Sequence, residues 1–177
     1  MNPFSHRLAL PDDIPALRRL MDASIAELLR AVLSPEQVAA SHAIMGLDTQ
    51  LITDGTYFVV MENGRLIGSG GWSRRATPFG GDHSSGRDDR LLDPAREPAR
   101  VRAMYTDPAH ARRGIGRMVL ALCERAAAEA GFARVELTAT MGGLPLYRAC
   151  GYGEIEWLEQ DVGGVIVPLL RMGKVLR

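Results

Sequence analysis

Lysine is almost missing from this 177-residue chain: Lys174 stands alone beside twenty arginines. Arginine forks grip a phosphate or a carboxylate at two points, where lysine acts as a point charge. A surplus of either sign is missing too, since 21 basic residues meet 21 acidic ones. Neutralising a polyphosphate backbone needs a cationic excess, so no nucleic-acid partner is expected, although one small basic pocket is not excluded. Cysteine is scarce. Cys123 and Cys150 sit in no CxxC or CxxH spacing, which argues against a disulfide framework or a metal site and fits a reduced, cytoplasmic setting. No stretch approaches ~18 apolar residues, so no membrane-spanning helix is expected. The start MNPFSHRLALPDD has neither the basic end nor the apolar run of a signal peptide. Repeats and low-complexity tracts do not occur.

What is present is the profile of a folded chain, 46% hydrophobic and 24% charged, and the length suits one domain over residues 1–177. His6 to Leu10 predicts a first strand. Pro11-Asp12-Asp13 then starts a helix with apolar positions at Ile14, Leu17, Leu20, Met21, Ile25, Leu28 and Leu29, the spacing of one helical face. Ser34-Pro35-Glu36-Gln37 starts a second, with Gln37 in the capping-box slot. Tyr57–Met61 and Leu66–Trp72 around Asn63-Gly64 predict a hairpin. From Arg75 to Glu97 the chain is rich in Gly, Asp, Arg and Pro, a loop long enough to be functional or mobile. A strand at Arg100 to Thr106, a helix at Gly114 to Ala130 closed by Gly131, and a strand at Val135 to Thr140 follow. A short helix at Pro145 to Cys150 and two strands, Tyr152–Leu158 and Val165–Met172, end the chain, with a turn at Asp161–Gly164. Helices and strands in this order predict a mixed α/β fold around one sheet.

The chemistry concentrates in VRAMYTDPAHARRGIGRMVL, residues 101–120. A strand ends, a short loop turns and a helix opens at Arg112-Arg113-Gly114-Ile115-Gly116-Arg117. Free amides at a helix start carry partial positive charge and form an anion site, and glycines let a phosphate approach the backbone. A P-loop would need GxxxxGK before Ser or Thr, and a dinucleotide fingerprint would need a third glycine where Val119 stands, so neither applies.

These residues resemble the GNAT superfamily of acetyl-CoA-dependent N-acetyltransferases. Its signature, Arg/Gln-x-x-Gly-x-Gly/Ala at a helix start, binds the coenzyme A pyrophosphate. Gly114 and Gly116 fill the glycine slots, while Ala111 departs from the first slot, with Arg112 and Arg113 beside it. Leu146-Tyr147-Arg148-Ala149-Cys150-Gly151-Tyr152 looks like the family's second motif.

The resemblance implies a mixed, mostly antiparallel sheet of about six to seven strands flanked by about four helices, splayed at the coenzyme-binding strands. It implies acetyl-CoA as co-substrate with no metal, held by Met104, Tyr105 and Thr106 along pantetheine and by Arg112, Arg113, Gly114, Ile115, Gly116 and Arg117 around the pyrophosphate. Thr138 to Thr140 would form the other wall. It further implies direct attack of a small-molecule or peptide amine on the thioester, with Tyr147 as the acid that protonates the leaving thiolate. The base is open among Glu62, Glu136, Glu154, Asp82, His83 or an ordered water. No covalent acyl-enzyme is expected, since both cysteines read as packing residues. A homodimer is implied by the family but marked by no feature here. The other reading is a non-catalytic acyl-CoA-binding or regulatory module on the same scaffold. Charge supports an anion site in the second half: residues 1–98 carry ten basic and thirteen acidic groups, residues 99–177 eleven and eight.

Overall fold

The computed structural model describes residues 3–177. Strand β1 (Ser5–Leu8) stops sooner than the apolar run suggests, because Pro11–Asp13 already forms a 3-10 turn. The Asp13 carboxylate accepts from the Leu10 amide at 2.8 Å and from both terminal nitrogens of Arg7 at 2.7 and 2.8 Å. That turn leads into α1 (Ile14–Leu28), whose Leu17, Leu20 and Ile25 are buried. Helix α2 (Pro35–Ile44) opens on the expected reciprocal cap: the Ser34 hydroxyl accepts from the Gln37 amide, and the Gln37 side chain accepts from the Ser34 amide. A five-residue helix, α3 (Thr49–Thr53), has no counterpart in the sequence reading. It is too short to show a periodic face, and its sign is the cap, where the Asp48 carboxylate accepts from the Gln50 amide at 3.1 Å.

Strands β2 (Tyr57–Glu62) and β3 (Arg65–Ser73) meet at Asn63 and Gly64, both at positive φ, 49° and 76°. This is the two-residue turn that Asn-Gly favours. Then come β4 (Ala99–Thr106), α4 (Ile115–Glu129), β5 (Arg134–Thr140) and α5 (Leu144–Ala149). The final hairpin is longer than expected, with β6 (Gly153–Val162) and β7 (Val165–Val175) pairing up to a Gly163-Gly164 turn. Asp161 and Val162 therefore sit in the ladder instead of the turn.

The seven strands form one sheet in the order β1-β2-β3-β4-β5-β7-β6, antiparallel everywhere except between β4 and β5. The mixed, mostly antiparallel sheet is as expected, and five helices replace about four. Alternation along the strands separates two cores. On β2, Val60 joins the cluster built with α4, while Tyr57 and Val59 join the cluster built with α1.

Two irregularities matter for function. Ala103 in β4 sits at φ 53°, and the pairing with β3 slips there, Ser69 facing Tyr105 but Gly71 facing Arg102. A bulge of this kind bends the strand and turns its remaining side chains. The parallel pairing of β4 with β5 covers only Ala99↔Val135 and Arg100↔Glu136. Beyond Arg100 the two strands part.

The stretch 75–98 lacks long secondary structure, as expected, yet it is firmly tied. Arg75 bridges Leu91 in a short antiparallel contact and grips Asp54 at two points, 2.8 and 2.9 Å. Arg90 does the same to Glu97 at 2.9 and 3.0 Å.

Candidate active site

The parted strands open a gap through the middle of the sheet, and two cavities meet in it. One, about 150 Å³, lies between α1, the start of α4 and α5, and reaches Leu28, Thr106, Gly116 and Leu146. The other, about 80 Å³, lies under residues 78–80 and the end of α2, and reaches Phe79, Arg102, Tyr105 and Thr138. Met45, Met104, Thr140 and Tyr147 line both.

Around the first cavity, Gly114 caps α4 at φ 84°, a left-handed conformation that costs glycine little. The amides of Ile115, Gly116 and Arg117 have no acceptor among the described residues; the first amide of α4 to find one is that of Met118, on the Gly114 carbonyl. These are the orphan donors expected at a helix start. Gly116 serves packing as well: a Cβ there would lie 2.8 Å from Leu146 Cδ2. The small residue thus lets α5, and Tyr147 with it, sit against α4.

The three arginines of the loop do not behave alike. Arg113 donates to both oxygens of Glu62, at 2.8 and 3.2 Å, and lies 5.0 Å over the Phe4 ring. His110 places Nε2 3.1 Å from the same carboxylate, and the Arg113 guanidinium holds the Glu62 carboxyl below its usual range. Arg113 is therefore engaged by the fold through Glu62. Arg112, at φ 66°, and Arg117 are exposed and make no ion pair among the described residues.

Of the other expected residues, Met104, Thr106, Thr140 and Tyr147 converge on the gap. Tyr105 reaches it from the α1–α2 face, its hydroxyl donating to the Gly46 carbonyl at 3.0 Å. Tyr147 is buried at 8% exposure and packs 5.9 Å from Tyr152, and its hydroxyl makes no hydrogen bond among the described residues. Burial pushes its phenol above the usual value, so the group stays protonated at neutral pH.

None of the base candidates lines either cavity. Glu62 is held as described. Glu136 accepts from Arg100 at 2.7 Å, and Glu154 pairs with Arg148. Asp82 accepts from the amide and hydroxyl of Thr49, at 3.0 and 2.9 Å, and His83 faces the Ala43 carbonyl at 3.1 Å. Cys123 is fully buried in the core, and burial pushes its thiol up.

Sequence reasoning missed a buried charge group behind the second cavity. Arg102, on β4, pairs with Asp48, their side chains only 3% and 1% exposed, and donates to the Gly80 carbonyl at 2.7 Å. Arg87 reaches the same Asp48 at 3.1 Å. The available signal was two arginines, Arg100 and Arg102, alternating with Val101 in a strand, which points both to one face. Among the described residues no cluster of side chains could hold a metal ion, and no helix is long and apolar enough to cross a membrane.

Comparison with known proteins agrees with this geometry. No curated protein sequence matches the chain. Among solved structures, it is similar to a GCN5-related N-acetyltransferase from Rhodopseudomonas palustris, with 18% identity over 99% of this chain and 97% of that one and a TM-score of 0.72. It is similar to a ribosomal-protein-alanine N-acetyltransferase from Brucella melitensis, with 21% identity over 97% and 99% and a TM-score of 0.66. The yncA structure from Salmonella typhimurium, solved with its cofactor acetyl-CoA, matches with 19% identity over 99% and 95% and a TM-score of 0.62. The family profile for Acetyltransferase (GNAT) covers residues 23–152, from α1 through the Tyr147 helix. With that span matched and the fold shared, this chain belongs to the acetyltransferase (GNAT) family.

Proposed function

We propose that this protein transfers an acetyl group from acetyl-CoA to a primary amine by direct attack within a ternary complex. The observation that carries the reading is the conjunction at the gap: unpaired edges of β4 and β5, orphan amides at the start of α4, and Tyr147 on the cavity wall. An elongated amide-bearing arm laid along Met104, Tyr105 and Thr106 would satisfy backbone groups that β5 leaves unpaired. The amides of Gly114, Ile115, Gly116 and Arg117 suit a pyrophosphate, with Arg112 and Arg117 free to add charge. Arg113 would act indirectly, anchoring the loop through Glu62.

Acetyl-CoA supplies the activated acyl group. Thr140 walls the arm on the β5 side. A backbone amide of the β4 bulge region would steady the developing oxyanion. Tyr147 holds its proton at the sulfur and gives it up as the C–S bond breaks. The engagement of every candidate base favours removal of the amine proton by water. The test is thiol release from acetyl-CoA across a panel of amines, with coenzyme binding measured by calorimetry. Turnover supports the reading. Tight coenzyme binding without turnover of any amine overturns it in favour of an acyl-CoA-binding module.

A further inference from the structure

Just ahead of α4 stands a closed set of charges that the transfer chemistry does not use: Glu62 on β2, Arg65 on β3, Asp107 and His110 around the turn Pro108–His110, and Arg113. Arg65 donates to the Asp107 carboxylate at 2.7 Å, and Arg113 to both oxygens of Glu62. His110 lies between the two carboxylates. Its Nε2 is 3.1 Å from Glu62 Oε2, and its Nδ1 is 3.4 Å from Asp107 Oδ2, buried and without a hydrogen bond. A neutral imidazole carries one N–H and one lone pair, so either tautomer turns a lone pair towards a carboxylate. Only the imidazolium presents a proton to both.

Arg65 and Arg113 balance Asp107 and Glu62, so a proton on His110 takes the set from zero to one positive charge. Of the groups packed alongside, Arg19 of α1 lines the hollow beside Arg65 and Asp107 and opposes that proton, while Arg7 there is matched by Asp13. The side chains of His110, Asp107 and Glu62 are only 14%, 11% and 17% exposed, so salt screens the charge weakly. His110 precedes Gly114 by four residues, which keeps it within about 14 Å of the orphan amides. Between them Arg112 sits at φ 66°, a conformation that its surroundings must hold. His110 and Arg113, one on each side of it, both reach back to Glu62. Resting on the coenzyme reading of this loop, we propose that His110 is a positioning residue for acetyl-CoA, clamping the loop as an imidazolium between Glu62 and Asp107, so that coenzyme binding takes up a proton. The pyrophosphate charges favour the positive state of the set, and by reciprocity protonation of His110 tightens the coenzyme. Affinity therefore falls as the pH rises through the range in which imidazoles titrate.

The experiment is calorimetric titration of the wild type and of His110→Gln with coenzyme A, at low salt, from about pH 5.5 to about pH 8. Each titration is run in two buffers of different ionisation enthalpy, which reads the protons taken up. The coenzyme's own 3′-phosphate ionises near pH 6, equally for both proteins, so it cancels in the comparison. The wild-type advantage in Kd should be roughly fivefold larger at the acid end than at the alkaline end, and the wild type should take up more protons than the variant. A merely structural histidine would weaken binding by the same factor at every pH. Should His110→Gln not fold, the imidazole can be read by NMR in a chain whose exposed His6, His42 and His83 are replaced by Gln; its titration should move to higher pH when coenzyme A is added. Parallel pH profiles with equal proton uptake, or an imidazole titration that coenzyme A does not move, overturn this inference and leave the coenzyme site standing. Failure of the wild type to bind coenzyme A at any pH overturns the site itself.

Discussion

Gly114→Glu separates the electrostatics of the loop from its sterics. A Cβ at Gly114 meets nothing within 4 Å, so the first side-chain carbon adds no clash, only the strain of a side chain at φ 84°. That strain is about 1–2 kcal/mol, and for a chain of this size each kcal/mol lowers Tm by roughly 2–4 °C. The carboxylate adds a second effect, confined to binding. At roughly 5 Å from two phosphate charges, and an effective dielectric of about 40–60, it costs roughly 1–2 kcal/mol per charge. The sum of ~2–4 kcal/mol is a 30- to 1000-fold weaker Kd, in round numbers. Titration calorimetry with coenzyme A reads this directly. Gly114→Ala is the control, carrying the strain without the charge, and should weaken binding less than about fivefold. Equal losses in the two variants would show that backbone shape, not charge, governs the loop. Wild-type affinity in Gly114→Glu would remove the pyrophosphate from the start of α4.

Tyr147→Phe should lower kcat by roughly 10²–10⁴-fold, the range for a general acid, with coenzyme Kd and thermal stability unchanged because the hydroxyl makes no hydrogen bond among the described residues. An unchanged kcat would refute the role. Asp48→Ala leaves Arg102 buried and unpaired, so urea unfolding should show a loss of about 3–5 kcal/mol; a loss under about 1 kcal/mol would mean that water reaches the group. Glu97 gives a pH prediction. The Arg90 fork, helped by the Asp93 amide, holds its carboxyl down to about 2 against an ordinary 4.5. A carboxylate lowered in the folded state stabilises fully above 4.5, and that stability is lost as the pH falls towards 2. Glu97→Gln should therefore shift the urea midpoint at pH 7 and no longer shift it near pH 2, whereas a pH-independent difference would contradict the pairing.

The residues that face inward were legible from spacing. Leu17, Leu20 and Ile25 on α1 and Ile115, Val119 and Cys123 on α4 are buried as their helical period required. Asn63-Gly64 marked the first hairpin because its backbone shape is chemically encoded. Gly114 and Gly116 marked the start of α4, and Tyr147 its neighbouring helix, because a local motif carries them. Helix α3 escaped because five residues hold too little period to read.

The divergence of β4 from β5 was implied by family resemblance, but no residue in either strand announces it. Pairing is decided by which strands the whole sheet brings together, and the bulge at Ala103 turns β4 away only in that context. The diversion of Arg113 to Glu62, 51 residues away in sequence, and the junction of Arg87, Asp48 and Arg102 are likewise tertiary. A charge in a sequence has a sign but no partner. The sequence by itself determined the order of elements, the faces they bury and the amides at the start of α4, since each depends on near neighbours in the chain. Only the folded sheet decided which arginines stay free, where the gap opens and what charge stands behind it, since those depend on distances between residues far apart in the sequence.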